Sequence, residues 1–212
     1  MNRVNGLHHL AVCTADIKAQ IEFFTDVLGM ELVALYWMHG VEGAWHGFLR
    51  MNDESSVAFV QTPDVKTIDR EIGKTHAGNP GSPCAGGAMQ HLALRVQDDA
   101  ELLAMRDRIR SRGVPVMGPI DHGFCKSIYF AGPEHLSLEF SFSNEPIDAR
   151  AWIDPEVVEL AGIGADELAR YKAPANSRGE GGRVAQPPGY SRPKVLRTRL
   201  RLRLRSRKRG AG

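Results

Sequence analysis

Apolar and polar positions alternate in a pattern that occurs twice along this chain. GLHHLAVCTADIKAQIEFFTDVLGMELV near the start resembles AMQHLALRVQDDAELLAMRDRIRSRGVPVM further on. In each, a histidine opens a short apolar run, His9-Leu-Ala-Val and His91-Leu-Ala-Leu, and the two histidines lie 82 residues apart. A helix-length segment follows, then a glycine, then another apolar run. The spacing predicts a first helix from near Thr14 as its N-cap, with Ile17, Ile21, Phe24 and Leu28 on one face and Gly29 as its stop. It predicts a second from Asp98 or Asp99, with Leu102, Met105 and Ile109 as the buried stripe and Gly113 as the stop. Three strand-like stretches follow each helix: Glu31–Trp37, Ala44–Met51 and Ser56–Gln61, then Pro115–Gly118, Ser127–Phe130 and Leu136–Phe142. The reading is strand, helix, three strands, twice over, an α+β fold of two pseudo-symmetric βαβββ modules.

HAGNPGSPCAGG separates the halves and reads as a linker. The modules are placed at residues 5–62 and 88–143, within one domain over 5–143. After Ser143 the pattern changes: Trp152 to Tyr171 reads as two short helices, one opened by Pro155, in an extension over 144–172. Residues 173–212 are expected to be a disordered, basic tail.

Composition sharpens this reading. Of 212 residues, 42% are hydrophobic and 25% charged, as in a globular protein with a sizeable core. The net charge of +2 conceals an asymmetry. Residues 191–212 hold ten of the 27 basic residues and none of the 25 acids, which leaves residues 1–190 near −8. An acidic body gives no reason to expect nucleic-acid binding, and no apolar run is long enough to span a membrane. Three scattered cysteines and no signal-peptide pattern point to a cytoplasmic protein.

Chemistry concentrates at three positions. His9, His91 and Glu139 each lie in or beside a predicted strand. In LSLEFSF, Glu139 alternates with Leu138 and Phe140, so it faces away from them and needs a partner. Two imidazoles and one carboxylate with open positions describe a non-haem Fe(II) site. Spacing alone leaves core or surface histidines as the alternative. The repeat selects His9 over His8, because His9 precedes Leu-Ala-Val as His91 precedes Leu-Ala-Leu.

On these residues, 5–143 resemble the vicinal oxygen chelate superfamily, which includes glyoxalase I, fosfomycin and bleomycin resistance proteins, methylmalonyl-CoA epimerase and extradiol ring-cleaving dioxygenases. The resemblance implies a fold of paired modules around a metal, with His9, His91 and Glu139 as ligands. Within the superfamily, residues 119–130 and 131–139 are similar to the extradiol dioxygenase signature. His122, Ile128-Tyr129, Pro133 and Glu139 fit it, and so do residues 48–53. The resemblance implies that His122 and Tyr129 orient the substrate and move protons.

It further implies Fe(II), with Mn, Zn, Ni, Co or Mg as alternatives, a small aromatic diol and O2 as substrates, and a possible homodimer. One chain supplies both modules, so a monomer can in principle hold a full site. Three positions depart from the signature: Gly132 replaces an acid, His135 replaces a glycine, and Ser55-Ser56 replaces a His pair with an acid–base member. The fourth protein ligand of glyoxalase I and the epimerase aligns with Ala58, which cannot coordinate. The alternatives are a glyoxalase- or epimerase-type lyase or isomerase, and a non-catalytic binding protein of the resistance type.

Overall fold

The computed structural model describes residues 4–176 together with 179 and 182; the basic tail lies outside the described residues. Eight strands form two four-stranded sheets. The first comprises β1 (His9–Cys13), β2 (Glu31–Trp37), β3 (Trp45–Arg50) and β4 (Ser56–Gln61), in the order β1-β4-β3-β2. The second repeats this order with β5 (Leu92–Arg95), β6 (Val116–Asp121), β7 (Lys126–Ala131) and β8 (Ser137–Phe142), as β5-β8-β7-β6. In each sheet the first and last strands run parallel and the others antiparallel, so the two modules are the same fold written twice.

A helix covers one face of each sheet. In the first module α1 (Ile17–Glu22) continues through a wider π-type turn over Phe23–Val27 and stops at Gly29, whose φ is +82°. Its cap is Asp16, which accepts from the Ala19 amide at 3.0 Å. Thr14 instead accepts from the Asp16 amide and turns its own hydroxyl toward Glu134. In the second module α2 (Asp99–Ser111) is capped by Asp98 and stops before Gly113, φ +78°. β6 runs past the predicted end at Gly118, because Pro119 sits on an edge strand at a register shift, where its missing N–H breaks no ladder.

One core joins the modules. Phe24, Leu28, Leu49, Val57 and Phe59 of the first pack in the same cluster as Leu94, Leu102, Ile109, Ile128, Leu138 and Phe140 of the second. Phe23 stacks on Phe130 across the join at 6.4 Å, and Arg108 Nε donates to the Val27 carbonyl at 2.7 Å. The helix-bearing faces therefore look toward each other. Because strand side chains alternate, residues offset by one from this core look outward.

Glu134 locks the join from the side. It sits at φ 57°, followed by His135 at φ 59°, in the tight turn between β7 and β8. Its carboxylate accepts from the Thr14 hydroxyl at 2.6 Å, the Ala15 amide at 2.9 Å and Gln20 Nε2 at 3.1 Å, and pairs with Arg70 at 3.1 Å. A left-handed glutamate costs roughly 1 kcal/mol, and four donors offset it.

Beyond Ser143 one short helix, α3 (Ala149–Trp152), precedes the two expected between Trp152 and Tyr171, which are α4 (Pro155–Leu160), opened by Pro155, and α5 (Ala165–Lys172). No helix among the described residues is long and apolar enough to cross a membrane.

Candidate metal centre

The outward face of the second sheet carries four of the five residues singled out from sequence. Ala93 of β5 pairs with Glu139 of β8, and Glu139 pairs in turn with Tyr129 of β7, so these side chains share a face. His91, two residues before Ala93, has the same parity. His91 Nε2 lies 3.0 Å from Glu139 Oε2. Glu139 is only 5% exposed, in a strand otherwise built of Leu and Phe. An acid so buried needs a positive or donor partner, and within reach are the His91 imidazole and the Tyr129 hydroxyl.

His91 is itself held. Its Nδ1 contacts Gln90 Oε1, which as a carbonyl oxygen can only accept, so Nε2 is the nitrogen turned to Glu139. Gln90 is anchored by its amide nitrogen, which donates to the carbonyls of Asn79, Pro80 and Ser82 at 3.3, 2.9 and 3.2 Å. The Gly/Pro/Ser linker thereby becomes an outer support of the histidine, the arrangement that orients ligands in metal sites.

Tyr129 OH and His122 Nε2 lie 2.8 Å apart. Burial pushes the Tyr129 phenol above its ordinary range, the Glu139 carboxylate adds to this, and the Ser127 hydroxyl opposes it. Tyr129 is therefore a neutral phenol at neutral pH.

His9 lies on the outward face of the other sheet. Registers place His9 beside Ser56, Ala11 beside Ala58, Ala58 beside Phe48 and Val60 beside His46, which pairs with Tyr36. His9, Ala58, Phe48, His46 and Tyr36 therefore face one way. His46 is tilted against Phe48 with ring centroids 4.5 Å apart, Phe48 lies parallel to Tyr36 at 6.3 Å, and His9 is tilted over Phe48 at 5.3 Å. His8 and His9 meet through their Nδ1 atoms at 2.8 Å. Burial lowers the His46 pKa, and the neighbouring His9 lowers it further.

Within one chain the structure brings His91, Glu139, Tyr129 and His122 together and does not bring His9 to them. The shared core lies between the two outward faces, and no group of three or more His, Cys, Asp or Glu residues able to hold a metal occurs among the described residues. His91 and Glu139 are two suitable donors, and the buried carboxylate beside an oriented imidazole fits a divalent ion.

A family model described as the glyoxalase/bleomycin resistance protein/dioxygenase superfamily matches residues 6–140. The chain belongs to this superfamily. The chain is also similar to several solved structures. A glyoxalase/bleomycin resistance protein/dioxygenase domain from Frankia sp. EAN1pec is 12% identical with a TM-score of 0.52, over 67% of this chain and all of that one. An integron cassette protein from the mobile metagenome of a Halifax Harbour sewage outfall is 23% identical (TM-score 0.48, 65% of this chain, 98% of that one). The fosfomycin resistance protein FosX from Listeria monocytogenes is 15% identical (TM-score 0.46, 70% and 99%). No curated protein matches by sequence.

For this superfamily member, sequence reasoning missed Gln90 as the support of His91. The signal was present, since Gln90 directly precedes the candidate ligand. It also left Phe48, His46 and Tyr36 unassigned to the face of His9. Alternation from β1 through two strand registers would have found them, but registers are not written in a single sequence.

Proposed function

We propose that the protein is an Fe(II)-dependent dioxygenase of the extradiol type that opens a catechol-like ring with O2, acting as a homodimer. The observation that carries this reading is the contact of His122 with Tyr129 at 2.8 Å, beside the Glu139–His91 pair. It sets an acid–base group and a neutral phenol next to two ligand-type side chains.

The ligands in this reading are His91 and Glu139 of one chain and His9 of a second copy. The outward direction of both faces supports an intermolecular arrangement, since a two-fold axis can bring the β1 side of the first sheet of one copy against the β5 side of the second sheet of the other. Bound there, iron(II) would supply Lewis acidity toward the two diol oxygens and a place for O2. Manganese, zinc, nickel, cobalt and magnesium are the alternatives for the same donors. Ala58 offers no fourth ligand, which leaves positions for a bidentate diol and oxygen.

This chain's residues do the rest. The Tyr129 hydroxyl donates a hydrogen bond to a diol oxygen. His122 takes and returns a proton at Nε2. Phe48 and Tyr36, brought with His9, offer parallel ring faces to an aromatic substrate. Ser55 cannot replace the missing histidine, because its hydroxyl is spent on Asn52 Oδ1 at 2.9 Å in the turn before β4.

That serine favours the second reading, a small-molecule-binding protein without turnover. The two part on one experiment. Protein loaded anaerobically with Fe(II) is given a panel of catechols, then oxygen, while oxygen uptake and absorbance of ring-opened product are followed. Uptake matched to product supports the dioxygenase; catechol binding without uptake supports the binding protein.

A further inference from the structure

The family match ends at residue 140, yet the chain continues into α3, α4 and α5. Trp152, the last residue of α3, lies on the tip of the β6–β7 hairpin, and that tip carries His122. A methyl group added to Gly123 would stand 2.7 Å from indole Cη2 and 2.9 Å from Cζ2. Gly123 has φ +86° and no side chain, which lets the backbone pass directly under the indole. Phe124 meets the same indole edge-on, with centroids 5.0 Å apart. Trp152 therefore touches both residues that follow His122.

Among the described residues, the other bonds at this tip are local. The His122 amide donates to the Cys125 carbonyl at 2.8 Å, and the Gly123 amide donates to Asp121 Oδ1 at 2.8 Å. Both bonds lie within the hairpin and travel with it. A cavity of about 310 Å³ lies between the tip and the chain after β8, lined by Asp121, Phe124, Phe142, Pro146 and Trp152 among others. The tip has space to move into if the indole is removed. Trp152 is 48% exposed, so it is not filling a core.

We propose that Trp152 is a positioning residue: it braces the hairpin tip so that His122 Nε2 stays on Tyr129. The extension beyond the shared fold then serves the site, and the role in catalysis rests on the dioxygenase reading above. A displacement of about 1 Å at such a group is enough to cost one to two orders of magnitude.

The test compares Trp152→Ala and Trp152→Phe with the unmodified protein. ¹⁵N resonances of the His122 imidazole are recorded without metal, and 4-nitrocatechol is titrated into iron-loaded protein. Trp152→Ala is expected to move the His122 resonances toward those of a free imidazole and to weaken 4-nitrocatechol about tenfold at unchanged iron content. Trp152→Phe is expected to restore both. If Trp152→Ala does not fold, Phe124→Leu removes the other half of the ring contact and is read in the same way. Unchanged His122 resonances in a folded variant overturn the proposal. If the unmodified protein does not bind 4-nitrocatechol, the dioxygenase reading fails by itself, and the imidazole resonances still decide the role of Trp152.

Discussion

Ala58 occupies in the first sheet the place that Glu139 occupies in the second. Ala58 pairs with Ala11, two residues after His9; Glu139 pairs with Ala93, two residues after His91. The repeat thus supplies two histidines and a single carboxylate. Ala58→Glu should complete the symmetry. In the proposed site the variant is expected to bind divalent metal at least as tightly and to lose oxygen uptake, since the added carboxylate takes a position needed by the diol or by oxygen. Metal titration and an oxygen electrode read the two effects separately.

Separation of His9 from Glu139 gives a second expectation. His9→Ala and Glu139→Ala should each fail to hold iron at the wild-type level. Mixed in equal amounts and allowed to exchange subunits, they should regain about a quarter of the wild-type sites, because half of the dimers are mixed and each mixed dimer has one intact site. Iron content after gel filtration measures this without any substrate. No recovery, with exchange shown independently, would remove His9 or the dimer from the site.

His76 predicts a pH dependence of stability. Burial lowers its pKa, and His135 and Arg70 lower it further, against a smaller opposing effect of Glu134. His46 is shifted the same way. Both groups bind protons more readily in the unfolded chain, whose histidines titrate near 6.5. Stability is therefore fully present above about pH 6.5 and falls as the pH drops below it. Urea midpoints at pH 7.5 and pH 5 should show the loss, and His76→Gln should flatten it.

Glu134 is expected to behave unlike an ordinary turn residue. Glu134→Ala keeps the left-handed backbone, removes four contacts and strands the Thr14 and Gln20 donors; a loss of about 2–3 kcal/mol is expected. Glu134→Gly relieves the strain and should lose roughly 1 kcal/mol less. If the two variants are equal in chemical denaturation, the strain assigned to φ 57° is absent.

Much of this molecule was legible from its periodicity. β2 and β4 fall where alternation placed them, and Gly29 and Gly113 stop their helices as expected. The π-type turn at Phe23–Val27 was not legible, because a shift from 3.6 residues per turn leaves too faint a mark over five residues. Asp16 rather than Thr14 caps α1 because Glu134, 120 residues away, recruits the threonine. The histidines, the glutamate and the Tyr129–His122 pair stood out in the sequence. That one chain turns its two halves in opposite directions did not, since the packing of α1 and α2 between the sheets depends on contacts such as Phe23 with Phe130.

The strand orders carry one further consequence. β1, which bears His9, and β5, which follows His91, each lie at an open edge of their sheet. Such edges present unpaired amides and carbonyls and invite uncontrolled strand addition. A second copy that completed the metal site would approach along these edges and shield them. Catalytic completion and protection from aggregation would then be one event, and a chain kept from pairing would be inert and also poorly behaved in solution.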